Sequence, residues 1–214
     1  VYEETQRDHG ELLRGYLPEA AVRRLLAAAN REAMHLMLLT MRSMDMRLIA
    51  STDIAYPPAL SVTDQAPLFL FAAGDPACMA GKCLTVVGSR KASPRALSDC
   101  EHICAELSHH GVTVVGGLAV GIDTAAHRGS LQGETPGIGV MACGLEMDYP
   151  TASRELKREL LDRGGLLLSE CPPGTQPSRW TFPMRNRILS GLSKGVAVIE
   201  CRIKSGTRSE EHTS

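Results

Sequence analysis

The segment Gly88-Ser89-Arg90 has the residue types of a phosphate-binding turn, and it follows a short apolar run. Glycine lets a ligand approach the backbone closely, and the planar guanidinium of Arg90 suits phosphate oxygens. If a helix begins beyond this turn, its first amides are free to donate to an anion. The same residues also fit an ordinary tight turn with a solvated arginine. This segment therefore indicates a phosphate site only if other segments of the chain point to the same site.

A second candidate is the glycine-rich segment that begins at Gly116 and Gly117 and continues to Gly121. Three glycines in six residues are costly in chain entropy, so we expect positive φ angles or close contact between the backbone and a ligand. With Leu118 and Ala119 between them, these glycines predict a loop that cradles phosphate. The segment matches neither G-x-G-x-x-G nor G-x-x-x-x-G-K-[ST], which argues against standard nicotinamide binding and P-loop hydrolysis.

Asp123 and His127 follow the glycines and lie four residues apart at the start of a predicted helix. An acid and a histidine on one helix face could serve catalysis, but a structural interpretation is simpler. In that interpretation Asp123 caps the helix and His127 forms a hydrogen bond inside the fold. We therefore predict no catalytic residue here.

The most basic segment is Arg185-Asn186-Arg187, which precedes the apolar residues Ile188 and Leu189. At the start of a predicted helix, the two guanidinium groups, the side-chain amide and free backbone amides can converge on one phosphate path. The apolar residues behind them indicate that this turn is anchored in the core rather than merely solvated. A further small cationic segment lies near the end of the chain: Lys204-Ser205-Gly206.

The composition sets limits on the kind of protein. The formal net charge is −1, so the surface is not basic overall and any nucleic-acid site must be local. No apolar run is long enough to cross a bilayer, and no signal peptide opens the chain. The seven cysteines form neither CxxC clusters nor a small disulfide-rich framework. We expect a cytoplasmic protein without membrane association.

Four other residues have side chains that could take part in binding or chemistry. Tyr149 could stack on a nucleobase, but we expect its ring to pack in the core. Glu170 is a candidate acid with no evident partner. Cys100 and Cys104 lie one helical turn apart and could ligate a metal, but the further ligands of a tetrahedral zinc site are missing nearby, and buried thiols are the better interpretation.

The candidate residues follow the elements of a regular fold. From Leu84 onward short β-branched runs alternate with helical stretches, which predicts alternating strands and helices. Continuous apolar runs indicate strands that are buried on both faces, and right-handed crossovers then give a mostly parallel sheet in an α/β three-layer sandwich. Ligands bind such sheets at the carboxyl ends of the strands. The predicted strands are Leu84–Val87, Val112–Val115, Gly137–Cys143, Leu166–Ser169 and Val196–Cys201. The predicted helices are Pro94–His109, Thr124–Leu131, Ala152–Arg163 and Arg185–Leu192.

The chain also divides along its length. Residues 1–50 are rich in Ala, Leu, Met and Arg, and the spacing that follows Pro18 predicts a small helical segment, a partial domain. Prolines 57 and 58 must break a helix and mark a connector. Residues 51–207 form the α/β domain.

Taken in order, these motifs resemble the DNA processing protein A (DprA/Smf) family over about residues 48–207. The resemblance implies an extended Rossmann-like fold that binds single-stranded DNA during natural transformation, protects the incoming strand and loads the RecA recombinase. It implies a homodimer at full length, no cofactor and no catalytic residue. The positions that match the family's phosphate-gripping loops are Gly88, Ser89, Arg90, Gly117, Leu118, Ala119, Gly121, Asp123, Arg185, Asn186 and Arg187, with Lys204, Ser205 and Gly206 extending the grip.

One segment departs from that family. Residues 208–214 read Arg-Ser-Glu-Glu-His-Thr-Ser, which is one translation of a common sequencing-library adapter. We expect this tail to be non-native and the α/β domain to be truncated at its C-terminal end.

Two other functions fit parts of the sequence. One is a nucleotide-processing Rossmann-like enzyme related to the phosphoribohydrolases, although the P-G-G-x-G-T-x-x-E signature is absent and only Pro173-Gly174-Thr175 is similar to it. The other is a plain interaction module whose glycines serve turns alone.

Overall fold

The computed structural model describes residues 31–201, in which the chain separates into two compact units. The first unit ends at Arg42, and its described part is the helix α1 (Arg31–Ser43), which runs one residue into the second unit. The helical spacing that follows Pro18, the segment from Lys204 to Gly206 and the tail at residues 208–214 lie outside the described residues. No helix in the described part is long and apolar enough to cross a bilayer.

The second unit is built on a seven-stranded sheet within the described residues. The strands β3 to β7 are mutually parallel and neighbour each other in the order β6-β5-β4-β3-β7, which confirms the mostly parallel sheet. β2 joins β6 in the antiparallel sense, and β1 extends β2 at the sheet edge. In chain order the strands are β1 (Met46–Ala50), β2 (Phe69–Gly74), β3 (Lys82–Gly88), β4 (Val112–Gly116), β5 (Ile138–Met141), β6 (Leu166–Ser169) and β7 (Val196–Ile199).

Five helices accompany this sheet in the described residues. The long helix after β3 begins where predicted, because Ser93 accepts a hydrogen bond from the Ala96 amide and Pro94 fits the first helical position. The five helices are α2 (Pro58–Ser61), α3 (Pro94–His109), α4 (Ile122–Ser130), α5 (Arg154–Asp162) and α6 (Thr181–Leu192), with short 3₁₀ turns at Pro76–Ala80 and Thr151–Ser153.

Helices cover both faces of the sheet, so the predicted three-layer sandwich is confirmed. On one face α3 and α4 pack against β3 and β4, and both Cys100 and Cys104 are buried thiols in this layer, as predicted. On the other face α6 inserts Ile188 and Leu189, together with Leu60 of α2, against the strands. Because strand side chains alternate between faces, each central strand contributes apolar residues to both layers.

The edge of the sheet differs from the sequence prediction. Residues 46–50 form β1, although we expected a helical segment up to residue 50. Met, Leu and Ala favour helix in isolation, but here pairing with β2 in register, from Met46 opposite Ala73 to Ala50 opposite Phe69, overrides that preference. The strand buries Met46 and Ile49 and leaves Leu48 exposed.

The start of α6 also differs, and this matters for the site. The helix begins at Thr181 rather than at Arg185, because a turn between Ser178 and Thr181 precedes it and Pro183 is tolerated in the first helical turn. Arg185 therefore lies in the second turn. The free amides of the helix start belong to earlier residues than the basic segment.

Candidate nucleic-acid interface

The carboxyl ends of the five parallel strands meet at one edge of the sheet, where a cleft of about 140 Å³ opens. The cleft lies between the glycine-rich loop (residues 116–121), the end of β5 and the rings of Tyr149 and Phe182, with Arg90 at its margin. Three of the predicted site residues, Arg90, Gly117 and Ala119, line it directly. The strand-end location predicted from the sequence is therefore where the structure places a cleft.

The glycine-rich loop adopts the backbone geometry that its composition predicts. Gly121 has φ of +87°, and a side chain there would collide with the carbonyl oxygen of Ser89. Leu118 also has a positive φ, +57°, which is unfavourable for leucine, but its side chain is fully buried beneath the loop. The amide of Ile122 donates to Ser89 at 3.2 Å, so this loop and the turn after β3 are joined.

Asp123 stabilises the glycine-rich loop rather than the helix that follows. Its buried carboxylate accepts hydrogen bonds from the amides of Gly117 at 3.0 Å and Ala119 at 3.3 Å. The prediction that Asp123 caps α4 was wrong, because its carboxylate bonds to amides that precede the helix and the N-cap position belongs to Gly121. Burial raises the pKa of Asp123, although the nearby charge of Arg185 and the loop amides oppose the rise. Two amides of the loop are therefore engaged within the fold and cannot also bind phosphate.

Arg185 fastens α6 to the strand ends from beneath the cleft. It is only 7% exposed, and Nη1 donates to the carbonyl oxygens of Gly117 at 3.0 Å and Val140 at 2.5 Å. A side chain at Gly117 would collide with this guanidinium, so glycine is required there by close packing. Asn186 is buried as well and accepts a hydrogen bond from Nε of Arg185. The basic segment thus points into the protein at its first two positions.

Arg187, the third residue of that segment, forms an ion pair with Glu170. One terminal nitrogen, Nη2, lies 2.6 Å from both carboxylate oxygens. Glu170 therefore has a partner, contrary to the sequence interpretation, because the end of β6 and the second turn of α6 are adjacent in the fold. The other terminal nitrogen of Arg187 is buried without a hydrogen-bond partner among the described residues.

An aromatic and cationic group forms the mouth of the cleft. The rings of Tyr149 and Phe182 lie 5.9 Å apart between centres and are tilted by 56°, and the guanidinium of Arg90 lies 5.5 Å from the centre of Phe182. Tyr149 is 46% exposed, so the expectation that it packs in the core was wrong. The loop that precedes Tyr149 is held by Lys157, which is buried on α5 and donates to the carbonyl oxygens of Leu145 and Met147.

Phe182 and Lys157 were not predicted from the sequence as residues that shape this mouth. Phe182 stands three residues before Arg185, and this proximity to the basic segment was the available signal for it. Lys157 lies among the charged residues of α5, and nothing in its local sequence separates it from the solvated lysines and arginines around it.

The turn after β3 lies beside a carboxylate of the same protein, that of Glu200. The carboxylate of Glu200 accepts hydrogen bonds from the amide of Ser93 at 3.0 Å and from its hydroxyl at 2.6 Å, at the start of α3. The amide of Ser89 donates to the carbonyl of Glu200 at 3.0 Å, and Gly88 packs against Ile199 too closely for a side chain. The helix start that we expected to offer free amides is thus occupied by a carboxylate of the same protein, whereas Arg90 remains exposed.

His127 is fully buried one turn after Asp123, and its ring lies between Gly116 and Gly137. Among the described residues neither ring nitrogen has a hydrogen bond of good geometry, and the predicted hydrogen bond is at most a weak one to the backbone of Gly116. Burial lowers the pKa of His127 to about 4, with an opposing effect from the backbone of Gly116. His127 is therefore neutral at physiological pH and supports the strand ends by packing.

The sequence is similar to a known protein family and to several characterised relatives. The family model for DNA recombination-mediator protein A matches residues 47–212. Protein Smf of Escherichia coli K12 is 41% identical over 160 residues, which cover 75% of this chain and 43% of that protein. DNA processing protein DprA of Bacillus subtilis is 36% identical over 167 residues, which cover 78% of this chain and 56% of that protein. The chain spans about half the length of these curated relatives.

Solved structures show the same architecture. The X-ray structure of DNA processing protein A from Streptococcus pneumoniae superposes with a TM-score of 0.79 at 30% identity, over 99% of this chain and 76% of that one. The protein of the same name from Helicobacter pylori, whose structure concerns a single-stranded DNA binding mode, gives a TM-score of 0.72 at 25% identity, over 79% of this chain and 76% of that one.

Proposed function

Because the chain belongs to the DNA recombination-mediator protein A family, we propose that it binds single-stranded DNA through the cleft at the carboxyl edge of its sheet. The observation that carries this proposal is the combination of Arg90 with the rings of Tyr149 and Phe182 around one small cleft. At about 140 Å³ the cleft is well below the roughly 300–1,000 Å³ of sites for drug-sized ligands. It suits one planar base rather than a complete dinucleotide cofactor.

Aromatic rings favour a single strand over a duplex. An unpaired base exposes its π-face and can stack on a tyrosine or phenylalanine, whereas the bases of a duplex are already stacked on each other. The structural relative from Helicobacter pylori, which concerns single-stranded DNA binding, supports the same choice of ligand.

The phosphates of the strand meet a small number of donors. Arg90 is exposed and supplies a guanidinium at the margin of the cleft. The backbone at Val120 and Gly121 lies at the start of α4, where the helix dipole favours an anion. Ser89 completes this group beside them.

The remaining predicted residues support these contacts from behind. Gly88, Leu118 and Asp123 fix the two loops, and Arg185 with Asn186 fixes α6 against them. Arg187 is held by Glu170. We propose that Lys204, Ser205 and Gly206, which lie outside the described residues, extend the phosphate path beyond β7.

At the level of the whole protein, we propose a mediator of recombination rather than an enzyme. It would protect the incoming strand in the cytoplasm during natural transformation and load RecA onto it, as a homodimer when full length. The family and its DNA processing proteins support this role, and the present chain spans about half of such relatives.

The binding test is a salt series with a labelled single strand, the matching duplex and free nucleotides. We expect preference for the single strand and an affinity that falls steeply with salt, because phosphate contacts dominate. Arg90→Ala should weaken single-strand binding by roughly ten-fold or more and make the salt slope shallower by about one. Anisotropy of the labelled strand measures both quantities.

Arg128→Ala is the matched control, because Arg128 is exposed in the last turn of α4 and does not line the cleft. It should leave affinity and salt slope unchanged. Tight binding and turnover of a mononucleotide would instead support the phosphoribohydrolase-like enzyme. A folded protein that binds no polyanion would support the interaction module.

A further inference from the structure

Trp180 and Arg179 form a cation and aromatic pair at the start of α6 that lies outside the lining of the cleft. The guanidinium carbon of Arg179 lies 4.7 Å from the centre of the Trp180 ring. Trp180 is the only tryptophan of the chain, and it is 67% exposed. Tryptophan is on average well buried in folded proteins, so a ring left this open is a candidate contact for a ligand.

A similar pair of an arginine and an aromatic ring is found at Phe182, two residues further along the chain. Arg90 lies over Phe182 at the mouth of the cleft, and Arg179 lies over Trp180 in the same way. Each pair offers what one nucleotide requires: a ring on which the base stacks, and a planar cation for the base or its phosphate. Two such pairs at one helix start match two nucleotides of a strand better than they match an apolar partner, because each ring is accompanied by a positive charge.

The segment that carries Trp180 is held in place. The amide of Gly174 donates to Glu146 at 2.5 Å, and the carbonyl of Thr175 accepts from the amide of Gly144 at 3.0 Å. Both contacts join it to the loop that carries Tyr149. A ring presented from a fixed backbone loses little conformational freedom on binding, which favours affinity.

We propose that Trp180 and Arg179 hold a second nucleotide of the single strand, next to the base in the cleft, so that the strand continues over the first turn of α6. This inference rests on the proposed single-strand function. It adds an unpaired nucleobase on Trp180 as a distinct contact.

The test uses the full chain and two independent signals. Anisotropy of a labelled oligothymidylate reports strand binding, and the emission of Trp180, the sole tryptophan, reports stacking at this position. We expect the emission to be quenched in a saturable manner, with the same midpoint as the anisotropy. Trp180→Ala should weaken binding by roughly ten-fold, as expected for the loss of one stacked base. Trp180→Phe should restore most of the affinity, and Arg179→Ala should weaken binding and make the salt slope shallower.

Two control variants separate stacking from general effects. Ile103→Ala removes another exposed apolar side chain, on α3 at the opposite face of the sheet, and should bind like the wild type. Arg128→Ala serves the same purpose for Arg179. If the strand binds but Trp180 emission is unchanged and Trp180→Ala binds with wild-type affinity, the inference is wrong and the proposed function stands. If the wild type binds no single strand, both are wrong.

Discussion

Arg185→Ala is expected to lower the free energy of unfolding by about 3–5 kcal/mol, the range found when one partner of a buried charge network is removed. Three oxygens lose a donor together: the carbonyl oxygens of Gly117 and Val140 and the side-chain oxygen of Asn186. The buried carboxylate of Asp123 also loses the nearby positive charge that opposes its desolvation. Since a typical domain is stable by only about 5–15 kcal/mol, this is a large share of the total. Urea unfolding followed by far-ultraviolet circular dichroism measures it.

Companion variants identify the cause. Arg185→Lys keeps the charge but not the planar fork, so its loss should be smaller. Adding Asp123→Asn to Arg185→Ala should recover part of the stability, because the uncompensated carboxylate is removed. Arg128→Ala, at an exposed position, should change stability little. If Arg185→Ala unfolds like the wild type yet loses affinity for the single strand, Arg185 is a direct DNA contact and the positioning role is wrong.

The second large effect is expected in acid. His127 has an ordinary pKa of 6.5 when unfolded and about 4 when folded, so between these values the unfolded chain binds a proton that the folded protein does not. The contribution of His127 to stability is complete above pH 6.5 and is lost as the pH falls to about 4. A difference of this size corresponds to roughly 3 kcal/mol. Unfolding curves recorded across this pH range measure the loss.

The variant comparison isolates His127 from other groups. Asp123 acts in the opposite direction, because its raised pKa lets the folded protein bind a proton more readily as the pH falls. His127→Gln should therefore flatten the acid limb, whatever its stability at neutral pH. His102→Gln, at an exposed position on α3, should leave the limb unchanged. Parallel pH curves for the wild type and His127→Gln would show that His127 is not the group responsible.

Both expectations concern residues that look like binding or catalytic groups in the sequence. Arg185 has the residue type of a phosphate contact, and His127 stands one helical turn from an acid. In the fold each supports the strand ends beneath the cleft. The side chains that remain available to the proposed DNA ligand are Arg90, Tyr149 and Phe182, together with the pair formed by Arg179 and Trp180.

Much of the architecture was predictable because its signals are local. Each apolar run that became β3 to β7 is short, β-branched or leucine-rich and bounded by turn residues, and the cap formed by Ser93 and Pro94 lies within one turn of α3. β1 was not predictable in this way, because its pairing partners in β2 lie 19 to 27 positions away and its own residues favour a helix.

The sequence by itself determined the order of the strands β3 to β7 and of the helices between them, the edge of the sheet at which the site lies, and the residue types gathered there. These follow from hydrophobic periodicity and the parallel connection of strands. Only the tertiary structure decided which of those residues face a ligand. Arg185 is bonded to carbonyl groups 68 and 45 positions away, and Arg187 to a carboxylate 17 positions away. Burial and pairing depend on such distant neighbours, so guanidinium groups of similar appearance in the sequence take opposite roles in the fold.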